Sequence, residues 1–480
     1  MSKVNCSNVA SFYSGKSVFI TGGTGFVGKT LIEKLLYSCS GIDKIYVLVR
    51  DKYGKQASER LARITSTPAF DRIKTSRNED LKKIVVISGD ITRENLGLHE
   101  NVLKTLENEV SIVFHLAATV AFRLPLKDAM RINVNGTENV IELCRRMKKL
   151  QAFVHVSTAF TNSDRKEINE VVYPMPINLE EARHVADRYS HDDVIVCAFM
   201  GKLLLEFLIG ISTEFLIRIL TVFHSLKLIP GRKPNTYTFS KAFAEQQVLK
   251  QCEDLPAAIV RPSIVMSSIK EPCPGWIDTW NGATGLFVGM PAGVLRVVLG
   301  RGSNVTDLVP VDIVTNLIVV AATECQKSKE IKVYNCCTGP SNPITCGEAS
   351  TISRKVALKY SLNELPWPFL KFTPSVFLYT LITFLLQIVP AYLIDLWCIL
   401  TGKKATQIKL QRRLKKVVDA VKFFLLNEWK FSDDNIRNLL NTMSPVDKEI
   451  FNFDVKTINW ESCIEDYILG ARKYLLKSEK

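Results

Sequence analysis

Short apolar runs alternate with longer helical stretches over the first 260 residues of the chain. Each run is rich in Val, Ile or Phe, which is typical of strands buried on both faces of a parallel sheet. Residues 26–37 instead repeat their apolar positions every three or four residues, which predicts a helix. The predicted strands are Ser17–Ile20, Ile45–Val49, Ile84–Ser88, Ile112–Leu116, Phe153–Ser157 and Ala257–Val260. This alternation predicts an α/β fold with a doubly wound parallel sheet, whose ligands lie at the carboxyl ends of the strands.

Two longer apolar segments break this alternation. The first, residues 194–229, is strongly apolar but carries acidic and basic residues. The second, residues 372–394, contains no charged residue and follows the two prolines of LPWP. We therefore expect residues 1–362 to form the sheet domain with its substrate-binding additions. Residues 363–480 are expected to form a smaller, mostly α-helical domain.

The second apolar segment is long enough to cross a membrane, because its 23 uncharged positions would span about 30 Å as a helix. Pro390 is expected to interrupt this helix and Asp395 to end it, and a basic run follows at residues 403–416. The sheet domain and the basic run both belong in the cytosol, so we expect residues 372–400 to lie on a membrane or to re-enter it. The alternative is a buried helix pair in a soluble tail domain.

Composition narrows the class of protein. The chain has 480 residues, of which 47% are hydrophobic and 23% charged, and this indicates a globular protein with a large core. The net charge of +14 favours an anionic partner, but the basic residues are spread out, so we expect no nucleic-acid partner. The 12 cysteines form no C-x-x-C pair and no metal-binding spacing with histidine. We therefore expect free thiols and no metal.

A glycine-rich turn lies between the first predicted strand and the first predicted helix. The sequence TGGTGFVG fits G-x-x-G-x-x-G. Glycine lets the backbone approach a pyrophosphate without a Cβ atom in the way, and the following helix directs its N–H groups at the phosphates. A purely structural turn is the alternative. The pattern predicts a Rossmann-type dinucleotide site made by Thr21, Gly22, Gly23, Thr24, Gly25, Phe26 and Gly28.

The residue after the second predicted strand indicates which dinucleotide binds. Arg50 ends the sequence YVLVR, where a site for NAD places an acid for the ribose 2′-hydroxyl. A guanidinium suits a 2′-phosphate, because it donates paired, charge-assisted hydrogen bonds. We therefore expect NADPH as the cofactor. The alternative is that Asp51 binds the ribose while Arg50 faces solvent.

A tyrosine and a lysine four residues apart form the candidate proton donor. Tyr237 and Lys241 in YTFSK would share one face of a helix over residues 237–250. The lysine, together with an oxidised nicotinamide, would lower the pKa of the tyrosine, so that the phenol protonates an alkoxide as hydride reaches the carbon. Ser157 or Thr158, at the end of the fifth predicted strand, would hydrogen-bond the developing oxyanion.

The order of these motifs resembles the extended short-chain dehydrogenase/reductases, and more narrowly the eukaryotic fatty acyl-CoA reductases with their male-sterility-type C-terminal domain. The likeness rests on TGGTGFVG, VFHLAA, INVNGT, HVSTAF, NTYTFSKAFAEQ, IVRPS and DLVPVDIVTN, and more loosely on the tail after LPWP. It implies Tyr237, Lys241 and Thr158, in preference to Ser157, as the catalytic residues. It also implies further residues around the cofactor, namely Arg50, Asp90, Ile91, Ala117, Ala118, Asn133, Lys241, Pro262 and Ser263.

The resemblance also implies a reaction and partners. A long-chain fatty acyl-CoA would be reduced to an aldehyde and then to a fatty alcohol with two NADPH, and CoA would be released. Membrane lipid is an expected partner, on the cytosolic face of the endoplasmic reticulum in preference to the peroxisome, and a homodimer is left open. In this family the segment before NTYTFSK is shorter and more polar. Residues 194–229 are therefore a membrane-contacting insert, an altered acyl-chain wall or a splicing artefact.

Other functions stay open on the sequence alone. One is a reductase or epimerase of the same fold that acts on a sterol or a nucleotide sugar, and another is a non-catalytic sensor of NADPH. Cys273 in KEPCPGW is a candidate nucleophile for a covalent thioester route, with an ordinary loop thiol as the alternative. Asp312 is expected to cap a helix over residues 313–323 rather than to take part in chemistry.

Overall fold

The computed structural model of the protein describes residues 7–51, 57–122, 124–175, 177–188, 233–328, 330–362 and 369–477. All of the predicted site residues lie within these ranges. The apolar insert predicted at residues 194–229 lies outside them.

Seven parallel strands form the central sheet. Along the chain they are β1 (Ser17–Thr21), β2 (Ile45–Val49), β3 (Ile84–Ser88), β4 (Val110–His115), β5 (Ala152–Val156), β6 (Ala257–Pro262) and β7 (Lys332–Cys336). Their spatial order is β3-β2-β1-β4-β5-β6-β7. The predicted doubly wound sheet is therefore confirmed. Because the order reverses between β1 and β4, the ligand crevice opens at the carboxyl ends of these two strands.

Helices cover both faces of the sheet. The main ones are α1 (Phe26–Ser38), α2 (Glu100–Glu109), α3 (Gly136–Arg146), α4 (Thr236–Gln251) and α5 (Val311–Glu324). Helices α1 and α5 pack on each other against one face, while α2, α3 and the C-terminal part of α4 pack against the other. One cluster of buried apolar side chains fills each side of the sheet. The helix predicted over residues 26–37 and the one predicted over 237–250 are both confirmed.

Smaller elements join the C-terminal part of the chain to the sheet domain. Three pairs of short parallel strands are present: Glu167–Ile168 with Lys430–Phe431, Ile264–Met266 with Leu308–Pro310, and Val297–Leu299 with Lys371–Thr373. The other helices in the described parts of the chain are Asn8–Tyr13, Ala57–Thr65, Asp71–Arg77, Leu126–Met130, Leu179–Arg188, Thr284–Gly289, Cys346–Lys359, Val376–Thr383, Val389–Leu400, α6 (Gln407–Leu426), Asp434–Thr442, Pro445–Ile450 and Trp460–Gly470. Two of the three strand pairs join residues after 369 to residues of the sheet domain, so the two parts are paired through backbone hydrogen bonds.

Most of the uncharged segment lies in one continuous helix, Val376–Leu400, which we call the apolar helix. The expectation that Pro390 interrupts it is wrong. A wider π-helical turn, Phe384–Ile388, ends two residues before the proline. Such a turn gives the proline ring the space that a regular helical turn lacks, and the missing N–H then breaks no regular ladder.

Asp395 does not end the apolar helix. Its carboxylate is buried and accepts hydrogen bonds from the backbone N–H groups of Thr406, Gln407 and Ile408, at 2.8–2.9 Å. These N–H groups lie at the start of α6, where a helix has no partners of its own for them. The acid therefore caps the next helix and fixes the two helices together.

The apolar helix leaves most of its large side chains exposed. Phe377 and Leu400 are each 74% exposed and Trp397 is 66% exposed. In the described parts of the chain it is the one helix that is long and apolar enough to cross a membrane. A buried helix pair, the alternative drawn from the sequence, does not form.

Asp312 does not cap the helix that contains it. Helix α5 already starts at Val311, and the buried Asp312 carboxylate accepts backbone hydrogen bonds from Ile269, Lys270 and Glu271 at 2.8–3.2 Å. Burial raises the pKa of this carboxyl, although these hydrogen bonds act in the opposite direction. The sequence could not show that the loop after residue 268 returns to this acid, so the expected cap was wrong.

Candidate active site

The glycine turn forms at the carboxyl end of β1. Gly22 has a φ of 76°, and a Cβ atom there would lie 2.6 Å from the amide nitrogen of Ala117. A Cβ atom on Gly28 would lie 2.7 Å from Cα of Gly23 and closer still to the carbonyl oxygen of Gly22. Helix α1 begins directly after Gly25. A backbone held this close to its neighbours at a helix start fits a bound pyrophosphate.

One cavity of about 1020 Å³ runs from this turn to helix α6. Residues of the sheet domain and of the C-terminal part both line it. The predicted site residues that line it are Gly22, Thr24, Gly25, Phe26, Gly28, Arg50, Ile91, Ala117, Ala118, Thr158, Tyr237 and Ser263. The predicted site residues that do not line it are Thr21, Gly23, Asp90, Asn133, Lys241 and Pro262.

Two of the residues that do not line the cavity hold its walls together. Oγ1 of Thr21 lies 2.7 Å from Nδ1 of His115, which joins the carboxyl ends of β1 and β4. The side-chain amide of Asn133 accepts a hydrogen bond from the Thr119 N–H and donates one to Oγ of Ser240, at 2.8 and 2.9 Å. Asn133 thus connects the loop after β4 to helix α4.

Two arginines line the cavity at the end of β2. The side chain of Arg50 is 52% exposed, and its Nη1 lies 3.9 Å from Oδ2 of Asp90. Arg60 lines the same cavity, and its guanidinium donates a hydrogen bond to the carbonyl of Arg50. The sequence analysis did not predict Arg60. Its position ten residues after Arg50 was the only signal, and such spacing alone does not show that two side chains meet. Together these groups place positive charge in the cavity near the end of β2.

Tyr237 lies in the first turn of α4. Asn235 caps this helix by accepting a hydrogen bond from the Thr238 N–H at 2.9 Å. Burial raises the pKa of Tyr237 to about 12, a hydrogen bond with Thr158 acts in the opposite direction, and Glu245 adds to the rise. In the protein without cofactor, the pKa of Tyr237 is therefore raised and not lowered as expected. The positive charge of an oxidised nicotinamide would act to lower it.

Lys241 is buried one turn after the tyrosine, with 2% exposure. Its Nζ donates hydrogen bonds to the carbonyl of Val156, at 2.8 Å, and to Nε2 of His155, at 3.3 Å. Burial lowers the pKa of this lysine to about 8, and the carboxylate of Glu245 opposes the shift.

Thr158 lies two residues after the end of β5. Its Oγ1 accepts a hydrogen bond from the Phe160 N–H and donates one to the Pro262 carbonyl, each at 3.4 Å. Oγ of Ser157 has no hydrogen-bond partner within the described ranges and does not line the cavity. Of the two hydroxyls considered from the sequence, the one on Thr158 is therefore at the cavity.

A series of aromatic contacts leads from the tyrosine to the C-terminal part of the chain, which supplies two of the rings. The Phe122 ring centroid lies 5.8 Å from that of Tyr237 and 5.9 Å from that of Phe424 in α6. Phe424 is 4.8 Å from Phe160 and 6.0 Å from Trp429. Sequence reasoning missed this cluster, because a phenylalanine in a distant helix carries no local signal of the site that it joins.

Cys273 does not belong to this site. It does not line the cavity, and its Sγ lies 3.5 Å from the hydroxyl of Tyr474. Burial raises the pKa of this thiol, which disfavours the nucleophilic thiolate. In the parts of the chain that the structure describes, no cluster of three or more His, Cys, Asp or Glu could hold a metal ion.

The fold and the site define a nicotinamide-dependent oxidoreductase of the short-chain dehydrogenase/reductase type. The terminal reductase domain of the myxalamid PKS-NRPS biosynthetic pathway shares this fold, with a TM-score of 0.58, 18% identity, and coverage of 96% of this chain and 91% of that one. The reductase domain of a nonribosomal peptide synthetase from Mycobacterium tuberculosis has a TM-score of 0.59, 15% identity, and coverage of 97% and 95%. Likenesses at this identity show the fold alone.

Sequence relatives place the chain more narrowly. Two family models, both described as male sterility protein, match the chain. The NAD-binding model matches residues 20–318, and the second model matches residues 386–478. Fatty acyl-CoA reductase 1 of Xenopus laevis is 38% identical over 478 residues, which cover 98% of this chain and 87% of that protein. The human protein of the same name is 36% identical over 479 residues, with the same two coverages. The chain belongs to the fatty acyl-CoA reductase family.

Proposed function

We propose that the protein reduces long-chain fatty acyl-CoA to fatty alcohol, with two NADPH consumed and CoA released. One observation carries this proposal. A single cavity joins the glycine turn, the hydroxyls of Thr158 and Tyr237, and an apolar wall formed by α6 and its neighbours. Such a cavity supports a substrate whose thioester carbonyl lies between the cofactor and the proton donor and whose chain lies among apolar side chains.

The residues at the cavity have separate roles in this reaction. When bound, NADPH would supply a hydride to the carbonyl carbon. The hydroxyls of Thr158 and Tyr237 hydrogen-bond the oxygen as its negative charge develops, and they hold the hemithioacetal until CoA leaves as a thiolate. In the second reduction Tyr237 donates its proton to the alkoxide of the aldehyde. Lys241 lies one turn after the tyrosine on the same helix and would bind the cofactor ribose.

Product analysis tests this proposal. Purified protein is incubated with NADPH and a series of saturated and unsaturated acyl-CoAs, and the products are separated by gas chromatography. Fatty alcohol formed from long chains, with two NADPH consumed per alcohol, is the expected result. Aldehyde as the sole product would contradict the second step, and no product from any acyl-CoA would contradict the proposed substrate class.

Replacing Arg50 by glutamate is expected to weaken NADPH binding by about 10–100-fold while NADH binding changes little, because the charge-assisted bonds to the 2′-phosphate are lost. Dissociation constants for both cofactors, measured by fluorescence, check this. Arg93→Glu is the matched control, since this exposed arginine undergoes the same charge change but does not line the cavity. An Arg50 variant with the wild-type preference for NADPH would show that other groups select the cofactor.

We further propose that the apolar helix lies on the cytosolic surface of an anionic membrane. Its outer face exposes large apolar side chains, while its inner face is anchored by Gln387, whose Oε1 accepts a hydrogen bond from the Arg296 N–H. The chain returns to the sheet domain on both sides of this helix, which favours an in-plane position over a span. The neighbouring exposed cations complement anionic headgroups; they are Lys403, Lys404, Lys409, Arg412, Arg413, Lys415 and Lys416.

The double variant Leu393→Asp/Trp397→Asp is expected to weaken binding to phosphatidylserine-containing vesicles by about tenfold or more, because two side chains would no longer insert. Flotation of the protein with vesicles measures this. Leu358→Asp is the matched control, since Leu358 is 56% exposed but lies in the helix Cys346–Lys359. Equal flotation of the double variant and the control would place the membrane contact elsewhere.

A further inference from the structure

His155 is a fully buried histidine beside the catalytic lysine, and nothing in the reaction above uses it. It lies in β5, directly before Val156, and its side chain has 0% exposure. On one side its Nε2 is 3.3 Å from Nζ of Lys241. On the other side its ring packs against that of His115, its register partner in β4, with the ring centroids 5.3 Å apart.

The hydrogen bonds fix which nitrogen of His155 carries the proton. An ammonium group only donates, so Nε2 of His155 accepts from Lys241 and the imidazole proton lies on Nδ1. Nδ1 has no hydrogen-bond partner within the described ranges. A buried N–H without a partner is unfavourable, so an apolar side chain would serve better if packing were the only role.

We propose that His155 is a positioning residue for the reaction: its Nε2 and the Val156 carbonyl together accept two of the three N–H groups of Lys241 and so direct the third toward the cofactor. This rests on the proposed function, in which Lys241 binds the cofactor ribose. Both acceptors come from adjacent residues of one strand, so β5 sets the direction of the ammonium group. Because a neutral acceptor stabilises the charged amine, His155 also keeps Lys241 protonated in a buried position.

The groups around His155 agree with a neutral, accepting imidazole. Burial lowers its pKa well below the ordinary value, and the nearby Lys241 and His115 add to the shift. His115 is neutral as well, since burial lowers its pKa to about 3. From α4, Glu245 lies on the lysine side, and from β6 the register partner of His155 is the apolar Ile259. Lys241 is therefore the group in this cluster that changes charge near neutral pH.

The pH dependence of NADPH binding, without acyl-CoA, tests this role. In the wild-type protein, binding is expected to weaken as Lys241 loses its proton at basic pH, and Lys241→Met is expected to abolish that limb. His155→Leu removes the acceptor, so the limb is expected to move to lower pH by about one unit, which is a tenfold change in the protonated fraction above it. His155→Gln places an amide oxygen near the same point and is expected to restore most of the wild-type limb.

A structural role alone would give a different pattern. His155→Leu would then weaken binding equally at every pH, and the glutamine variant would behave like the leucine variant. Either result would overturn the proposal. A thermal melt of each variant shows whether it folds.

Selective ¹⁵N labelling of the six histidines gives a test that needs no folded variant of His155. The expected signal is a neutral imidazole protonated on Nδ1, and a proton on Nε2 would overturn the proposal. Both measurements omit acyl-CoA. A protein that fails to reduce any acyl-CoA would therefore contradict the proposed function and still report on His155.

Discussion

Replacing Tyr237 by phenylalanine is expected to lower the rate of alcohol formation by about 10²–10⁴-fold while NADPH binding stays close to that of the wild type. The substitution removes the phenol that lines the cavity beside Thr158 and keeps the ring that packs against Phe122. Burial already holds this phenol protonated, with a pKa of about 12, so the proton it donates is present over the whole neutral range. Turnover with a C16 acyl-CoA and NADPH titration by fluorescence measure the two effects.

Two matched variants show whether the loss is specific to this phenol. Tyr334→Phe also removes a buried hydroxyl, but Tyr334 lies in β7 and does not line the cavity, so its activity is expected to persist. Cys273→Ser is expected to retain full activity, because the thiol lies outside the cavity lining. Turnover by Tyr237→Phe at the wild-type rate would remove the tyrosine from the mechanism. A loss in Cys273→Ser would instead favour a covalent thioester.

The sheet was predictable where its strands are continuous apolar runs. Ile45–Val49 and Ile84–Ser88 form strands with the predicted bounds, because each is a short run rich in Ile and Val. The seventh strand, Lys332–Cys336, was not predicted. Its Asn335 is fully buried and donates hydrogen bonds to the carbonyls of Ile168 and Ser432, so a polar residue interrupts the run that would have indicated a strand.

At the site, the sequence predicts local contacts well and distant contacts poorly. The glycine turn and the tyrosine–lysine pair are local patterns, whose spacing already states which groups share a turn or a helix face. The roles of Asp312 and Asp395 depend on loops that return from elsewhere, and the sequence therefore suggested the wrong partner for each. Phe424 reaches Tyr237 through Phe122 only because α6 packs over the cavity, which no local pattern encodes.

Replacing Gly28 by alanine is expected to destabilise the fold by about 1–3 kcal/mol or more and to abolish NADPH binding. The new Cβ atom would lie 2.7 Å from Cα of Gly23 and closer still to the carbonyl oxygen of Gly22, and neither backbone atom can give way without opening the turn. Opening the turn would move α1 away from β1 and disturb the cradle for the pyrophosphate. Thermal melts with and without NADPH measure both losses.

Gly25→Ala separates the two consequences of a side chain in this turn. Gly25 has an ordinary φ of −79°, and its new Cβ atom would meet only the carbonyl oxygen of Gly22, at 3.2 Å. The fold is therefore expected to persist, while NADPH binding weakens because the Cβ atom lies on the path of the pyrophosphate. A Gly28→Ala protein that melts with the wild type and is still stabilised by NADPH would show that the turn can relax. The glycines would then not form the cradle on which the cofactor assignment depends.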